Sequence, residues 1–297
     1  SAMNVIGAID QNKYEVTKIG VTKGGQWIAG EHALHYLAAK ADLTLLPSGM
    51  DKVVAEAKRL GWDSDNVVTM TRFADVEDSV LPVSANRKPS TTHAQNVSFA
   101  DIDVVLPILH GATGEDGAIQ GLCKLANVPV VGCGILGSAV AFDKVMANMV
   151  FDAAGIPQAP WIWFSSKEIK EHFNEVRQKI EDQLGAYPVF SKPANSGSSV
   201  GICKVHSSEE LEGALEEACK YDRRVLIEKG IKGRELEIAV LGEDEIFVSK
   251  VAAEIISSHE FYDYEAKYLD ASSKTIVPAD IPQSVLDRMT ESARKAF

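Results

Sequence analysis

A lysine followed by a loop of small residues is the feature of this sequence best suited to phosphate chemistry. Lys192 closes one β-type run, residues 194–199 read Ala-Asn-Ser-Gly-Ser-Ser, and a second β-type run extends from Val200 to Val205. Glycine and serine let a backbone close on a ligand, and successive N–H groups can form a concave anion site. A nearby lysine adds a point charge for phosphate. The pattern fits an ordinary hairpin equally well, and no Gly-Lys-Ser/Thr marks a Walker A motif.

A second candidate site follows the apolar run at residues 103–109, which is typical of a strand buried on both faces of a sheet. The run leads into His110 and then into Gly114-Glu115-Asp116-Gly117. Open α/β sheets bind ligands beyond the carboxyl ends of their strands, so this segment is placed for a site. A histidine at a strand end is often structural, and His110 alone would not establish one.

The elements that must position these residues alternate between strands and helices. A helix at 118–126 and a strand at 128–131 complete a βαβ unit with a parallel sheet. Ser138 is predicted to cap a helix through about Ala154 that carries Lys144. Ser166 is predicted to begin a helix that continues through Leu184.

Length and composition set limits on the class of protein. The chain of 297 residues suits two or three domains, and its 45% hydrophobic and 24% charged residues are typical of a soluble globular protein. A net charge of −12 argues against broad nucleic-acid or membrane-surface binding, although a small basic pocket remains compatible with it. The four cysteines lack metal-ligand spacing, and we expect buried free thiols of a reducing, cytoplasmic compartment: Cys123, Cys133, Cys203 and Cys219.

Four blocks of this sequence, taken in order, resemble the D-alanine–D-alanine ligase family of the ATP-grasp superfamily. The resemblance runs through nearly the whole chain. The blocks are His110-Gly111 with Gly114-Glu115-Asp116-Gly117 and Gln120-Gly121, Ser138-Ala139 with Asp143-Lys144, Lys192-Pro193 through Gly201, and Phe261-Tyr262-Asp263-Tyr264-Glu265-Ala266-Lys267-Tyr268.

The resemblance implies an α/β fold of the ATP-grasp type with three domains. These would be an N-terminal parallel α/β domain at residues 1–132, a central domain with the phosphate hairpin at 133–228, and a C-terminal domain at 229–297. The last two would be α+β domains with ATP between them. We expect the fold to be incomplete at both ends, because the family's first strand and glycine-rich loop would precede Ser1 and its last segment would follow Phe297.

The family's reaction implies ATP, D-alanine and two Mg²⁺ ions. ATP phosphorylates the carboxylate of one D-alanine, and the amine of a second attacks the acyl phosphate to give D-alanyl-D-alanine. The product serves peptidoglycan synthesis, and hence cell wall biogenesis and cell shape. Such catalysis depends mainly on positioning and on charge neutralisation around phosphoryl groups. The family is commonly homodimeric, and no nucleic-acid or membrane partner is implied.

By resemblance, most site residues would hold the nucleotide. The implied ATP-binding set is Lys144, Lys192, Ser196, Gly197, Ser198, Ser199, Glu228, Lys229, Glu235 and Lys267. Lys267 would reach the transferred phosphate, Glu228 and the Lys229 backbone the adenine, and Glu235 the ribose. His110 and Glu115 would lie near the first D-alanine, while Ser198 and Tyr268 would fasten a mobile loop over the site.

The expected Mg²⁺ ligands are placed beyond Phe297, so no metal ligand is assigned here. Two alternatives therefore stay open. One is a nucleotide-binding fragment without turnover. The other is a different ATP-grasp carboxylate–amine ligase, including one that makes D-alanyl-D-lactate. Relatives that make the lactate ester tend to differ at the tyrosine position, so Tyr268 favours D-alanine.

Overall fold

The computed structural model describes residues 2–21, 27–29, 99, 102–256 and 274–297. The chain divides into two compact units. Unit 1 comprises Ser1–Ile108 and Gln120–Gly132, and unit 2 comprises Leu109–Ile119 and Cys133–Phe297. The domain boundaries predicted at residues 132 and 228 stay predictions.

Unit 1 contains the helix α1 (Ala2–Ala8) and an antiparallel pair, β1 (Ile19–Val21) with β2 (Trp27–Ala29). The predicted parallel pairing appears as a single bridge between Val105 and Val130, and the helix α2 (Ala118–Leu125) lies between them in sequence. The prediction of a strand buried on both faces is wrong for Val104 and Leu106, which are 46% and 44% exposed. In the described part of the chain this segment pairs only through Val105, and its neighbours on either side are exposed.

An antiparallel sheet with strand order β3-β6-β4-β5 forms the centre of unit 2. Its strands are β3 (Trp161–Ser165), β4 (Val189–Pro193), β5 (Cys203–Val205) and β6 (Arg224–Lys229). We call residues 194–202, which join β4 to β5, the serine loop. The run predicted to be extended from Val200 becomes a strand only at Cys203. The delay has a local cause, because Gly201 has a φ of +73°, which an extended strand does not accept.

One face of this sheet carries the hydrophobic core of unit 2. Three helices pack on it: α5 (Ser166–Glu171), α6 (Phe173–Leu184) and α7 (Ser208–Cys219). Side chains on a strand point alternately to its two faces, and β4 and β6 follow this rule. The core therefore contains Val189, Val225 and Ile227 with helix residues such as Ile180 and Leu215, while Lys192 and Glu228 stand on the opposite face.

Two helices meet near that opposite face, α3 (Ile135–Phe142) and α4 (Lys144–Ala153). Here Val145 of α4 packs with Leu226 of β6, Ala194 and the partly buried Trp161. The prediction of one helix capped by Ser138 is wrong. Ser138 is buried within α3, and Asp143 interrupts the helix with extended backbone angles (φ −85°, ψ 105°).

The helix predicted from Ser166 to Leu184 is also two helices. His172 has φ −136° and ψ 37°, so α5 ends and α6 begins there. The cap of α5 is Ser165, which forms a capping box with Glu168. Apolar spacing alone continues across both breaks, which explains why the sequence pattern did not reveal them.

The rest of unit 2 contains a sheet of order β11-β10-β7, formed by β7 (Glu235–Glu237), β10 (Ala253–Ile256) and β11 (Lys274–Ile276). A hairpin joins β8 (Val240–Gly242) to β9 (Ile246–Val248). The last described helix is α8 (Gln283–Ala296), where Arg294 donates to the carbonyl oxygen of Ile246 at 3.2 Å.

All four cysteines are free thiols, as predicted. Burial raises the pKa of Cys123, Cys203 and Cys219 above the ordinary thiol value. The expectation that all four are buried holds for Cys123 alone, since Cys203 and Cys219 are partly buried and Cys133, just before α3, is exposed. Over the residues the structure describes, no helix is both long and apolar enough to cross a membrane.

Candidate functional site

Every described residue that the sequence assigned to a site lies in unit 2. These residues are His110, Glu115, Lys144, Lys192, Ser196, Gly197, Ser198, Ser199, Glu228, Lys229 and Glu235. The remaining two, Lys267 and Tyr268, lie outside the described residues.

An ion pair between Lys192 and Glu228 lies on the face of the central sheet away from the helical core. The Lys192 ammonium donates to Oε2 of Glu228, and the two side chains are 23% and 20% exposed. The Lys192 Nζ also lies 5.6 Å from the ring centroid of Phe190, and the Lys204 Nζ lies 5.9 Å from the same centroid. Strand alternation thus brings two cations, a carboxylate and an aromatic ring to one surface.

Helix α4 links this ion pair to the serine loop. The Lys144 ammonium donates to the carbonyl oxygen of Ser196, and the Asn148 amide donates to Oε1 of Glu228 at 3.4 Å. Residues four apart lie on the same side of a helix, which explains how one helix reaches both partners. The predicted phosphate lysines Lys144 and Lys192 are therefore connected to one site through α4 and Glu228.

The serine loop has an unusual backbone. Ser198 and Ser199 have φ values of +52° and +61°, a conformation that costs non-glycine residues on the order of 1 kcal/mol or more. The Ser196 hydroxyl donates to the carbonyl oxygen of Val200 at 3.0 Å. At Gly201 a β-carbon would lie 2.4 Å from Cδ2 of Tyr221, so only glycine fits. These contacts hold the loop in a tight shape, and a loop of this kind can bind an anion through its backbone N–H groups.

The segment after His110 is also organised by its carboxylates. Glu115 Oε2 accepts from the backbone N–H of Gly111. Asp116 accepts from the N–H of Thr113 at 2.8 Å and of Ala118 at 3.0 Å, so it holds the turn that leads into α2. His110 itself is exposed.

This segment approaches the serine loop at Gly197. A β-carbon built on Gly197 would lie 3.6 Å from Cα of Gly111 and 3.8 Å from Oε2 of Glu115. The structure thus brings Glu115, predicted for the substrate side, beside the loop predicted for phosphate.

Two other predicted residues are placed differently. Lys229 continues β6, and its backbone N–H donates to the carbonyl oxygen of Pro160 at 2.9 Å. Glu235 is exposed on β7, which belongs to the second sheet of unit 2 and not to the central one. Its predicted contact with ribose stays a prediction.

Residue-by-residue reasoning missed four polar residues of this site: Asp143, Asn148, Asn195 and Arg224. Asp143 accepts from the Asn195 amide at 2.7 Å and from the Arg224 guanidinium. A signal for Asp143 was present, because aspartate directly before a helical segment is a favoured N-cap. Nothing local in the sequence marks Arg224, which reaches Asp143 from a distant strand.

The arrangement suits a polyphosphate ligand. Lys144 contacts the serine loop and Lys192 lies on the strand that leads into it, and ammonium groups bind phosphate oxygens. Among the described residues, no group of three or more histidine, cysteine, aspartate or glutamate side chains could hold a metal ion. We therefore assign no metal ligand.

Comparisons with known proteins identify the family to which this chain is similar. The family described as D-ala D-ala ligase N-terminus matches residues 1–133, and the family described as D-ala D-ala ligase C-terminus matches residues 150–297. A D-alanine–D-alanine ligase of Acetivibrio thermocellus is 42% identical over 297 residues, which are 100% of this chain and 74% of the relative. The ligase of Geobacillus thermodenitrificans is 40% identical over 297 residues, with 100% and 73% covered.

Solved structures give the same result. The VanG D-Ala:D-Ser ligase of Enterococcus faecalis matches with a TM-score of 0.70 and 32% identity, covering 100% of this chain and 76% of that one. The D-alanine–D-alanine ligase of Coxiella burnetii matches with a TM-score of 0.66 and 27% identity, covering 99% and 72%. The predicted ATP-grasp α/β fold is confirmed, and the chain belongs to the D-alanine–D-alanine ligase family.

Proposed function

We propose that the protein uses ATP to join two D-alanines into D-alanyl-D-alanine through a D-alanyl phosphate intermediate. The product would supply peptidoglycan synthesis. Family membership supports the reaction, as do curated relatives named D-alanine–D-alanine ligase that match the chain along its whole length.

One observation within the structure carries the proposal. Lys144 contacts the serine loop, Lys192 pairs with Glu228, and Glu115 lies beside Gly197 of the same loop. The residues proposed to hold phosphate and Glu115, proposed for the substrate side, are therefore neighbours, which supports the proposal. That is the arrangement needed when a phosphoryl group passes from a nucleotide to a small acid.

The chemistry assigns each group a task. A carboxylate is a poor electrophile, so its oxygen first takes the terminal phosphoryl group of ATP and ADP leaves. The amine of the second D-alanine then attacks the acyl carbon, loses a proton and expels inorganic phosphate. Lys144, Lys192 and the N–H groups of the serine loop would neutralise and orient the phosphates.

Other residues would complete the site. Glu228 would accept from the adenine amino group beside the Lys229 backbone, and Glu235 would bind ribose. Lys267 would follow the phosphoryl group during transfer. Ser198 and Tyr268 would hold a loop closed, which keeps water from the acyl phosphate.

Two Mg²⁺ ions are proposed from the family resemblance alone. The described residues offer no cluster suited to them, so no step above passes through a metal. We further propose a homodimer, which sedimentation would test, and a cytoplasmic site of action, where ATP and reducing conditions coexist.

Phosphate release tests the function. With Mg²⁺ present, release should require both ATP and D-alanine, and mass spectrometry should detect D-alanyl-D-alanine in equal amount. Nucleotide binding without release would favour the alternative of a fragment that lacks turnover.

The identity of the second substrate needs a separate assay, because one matching structure is of a D-Ala:D-Ser ligase. D-Alanine should be preferred over D-serine and D-lactate as the attacking group. A preference for either of the other two would overturn the assignment and show a ligase with a different acceptor.

A further inference from the structure

Asp143 lies at the junction of two helices, and the proposed reaction gives it no role. It ends α3 and begins α4, directly before the phosphate lysine Lys144. Its Oδ1 accepts from the backbone N–H groups of Val145 and Met146, each at 3.1 Å, so it is the N-cap of α4. The side chain is only 7% exposed.

The second carboxylate oxygen serves a different purpose. Asp143 Oδ2 accepts from the side-chain amide of Asn195 at 2.7 Å and from the guanidinium of Arg224. Asn195 is in the serine loop, and Arg224 begins β6. One buried carboxylate thus joins a helix, a loop and a strand, and the guanidinium offsets its charge so that it does not repel a phosphate nearby.

The start of the serine loop is fixed from the other side as well. The backbone N–H of Asn195 donates to Asp222 Oδ2 at 2.7 Å, and Asp222 Oδ1 accepts from the N–H of Arg224 at 3.0 Å. The N–H of Lys144 donates to the carbonyl oxygen of Ala194 at 3.0 Å. Because the Lys144 ammonium also contacts Ser196, the lysine is tied to the loop through both backbone and side chain.

We propose that Asp143 is a positioning residue that holds Lys144 and the serine loop in the single arrangement that receives the phosphates of the nucleotide. It acts through Asn195 and Arg224 and does not itself touch the nucleotide. The proposal rests on the proposed function for the identity of that nucleotide.

Asp143→Asn tests the proposal with little change of shape. The retained Oδ1 still caps α4, but an NH₂ group now faces the donors of Asn195 and Arg224. The variant loses the charge-assisted hydrogen bonds and places a donor against donors. Binding of a non-hydrolysable ATP analogue should therefore weaken about tenfold. The KM for D-alanine should change by less than about twofold, because Glu115, proposed to lie near D-alanine, is held by the backbone N–H of Gly111 and not by Asp143.

Asn195→Ala is the second variant, since it removes one arm of the network and leaves the cap and the Arg224 pair intact. It should weaken analogue binding several-fold. Val176→Ala is the matched control for lost stability, because Val176 is buried among the helices on the opposite face of the sheet. It should lower Tm and leave analogue affinity unchanged.

The outcomes separate two claims. Unchanged analogue affinity in both site variants would show that Asp143 is only a helix cap, and if Asp143→Asn fails to fold, Asn195→Ala decides alone. Absence of phosphate release from the unsubstituted protein would instead contradict the proposed function, and the dissociation constants of the analogue would still decide the role of Asp143.

Discussion

At the scale of single residues, the site depends on two lysines whose ammonium groups already have protein partners. Lys192 pairs with Glu228, and Lys144 donates to the carbonyl oxygen of Ser196. The lysine position was readable from the sequence because Lys192 directly precedes a loop of small residues. The pairing with Glu228 was not, because the two positions are 36 apart in sequence.

Lys192→Ala should lower nucleotide affinity and turnover together. The substitution removes an ammonium group proposed to bind phosphate. It also leaves the Glu228 carboxylate without its ion-pair partner, at a cost of about 2 to 3 kcal/mol. We expect kcat/KM for ATP to fall roughly 100-fold. Lys167→Ala is the matched control, because Lys167 is 78% exposed on α5, and its kinetics should equal those of the unsubstituted protein.

Lys267→Ala should act on a different step. By family resemblance Lys267 reaches the phosphoryl group in transfer, so its loss should lower kcat with little change in nucleotide affinity. Single-turnover measurement of ADP formation in the presence of D-alanine would show the slowed step. An unchanged kcat would refute this role.

At the scale of elements, glycines decide where segments can approach one another. Gly117 has a φ of +92°, and a β-carbon on it would lie 2.8 Å from the carbonyl oxygen of Ile135. The position therefore requires glycine for two reasons, one conformational and one steric. It fixes how the segment carrying Glu115 meets the start of α3.

Gly117→Ala should destabilise the fold by at least about 2 kcal/mol, since it combines left-handed strain with overpacking. Gly213 gives a matched control in α7, where a β-carbon would meet nothing within 4 Å. Gly213→Ala should stabilise by about 0.5 to 1 kcal/mol. Denaturant unfolding of the two variants measures both effects, and equal stabilities would contradict the steric argument.

Elements with a strong local pattern were predictable from the sequence. The alternation in β4 and the small residues after it predicted the hairpin, and the apolar spacing in α6 predicted a helix. The breaks at Asp143 and His172 were not predictable in this way, because apolar positions continue through them. The clustering of Asn148 with Glu228 depends on how α4 crosses the sheet, which is a matter of tertiary packing.

At the scale of the whole molecule, the ionisation of one tyrosine should lower the free energy of unfolding at alkaline pH. Tyr187 packs against the core of unit 2 and donates to Glu181 Oε1 at 3.1 Å. Burial first, and then the hydrogen bond to Glu181, raise the pKa of Tyr187 to about 12. Because the folded protein favours the neutral phenol, this contribution to stability is full below pH 10 and is lost between about pH 10 and 12.

The free energy of unfolding of Tyr187→Phe should be lower than that of the unsubstituted protein at pH 9. The difference should shrink as pH rises through that range, because only the unsubstituted protein loses the contribution of the neutral phenol. Urea unfolding at pH 9 and at pH 11.5 measures the difference. A difference that stays constant between the two pH values would show that the phenol is not favoured by the fold.

The alternation of β4 and β6 has a consequence for how the molecule tolerates change. Odd-numbered positions such as Val189, Val225 and Ile227 face the helices, whereas even-numbered Lys192 and Glu228 face the other way. Truncation of the odd-numbered residues should cost stability, whereas truncation of Lys192 or Glu228 should cost activity in a protein that still folds. Inserting one residue early in β4 would move the following residues of that strand to the opposite faces of the sheet. The Lys192 ammonium would then enter the apolar core, so stability and nucleotide binding would be lost in the same molecule.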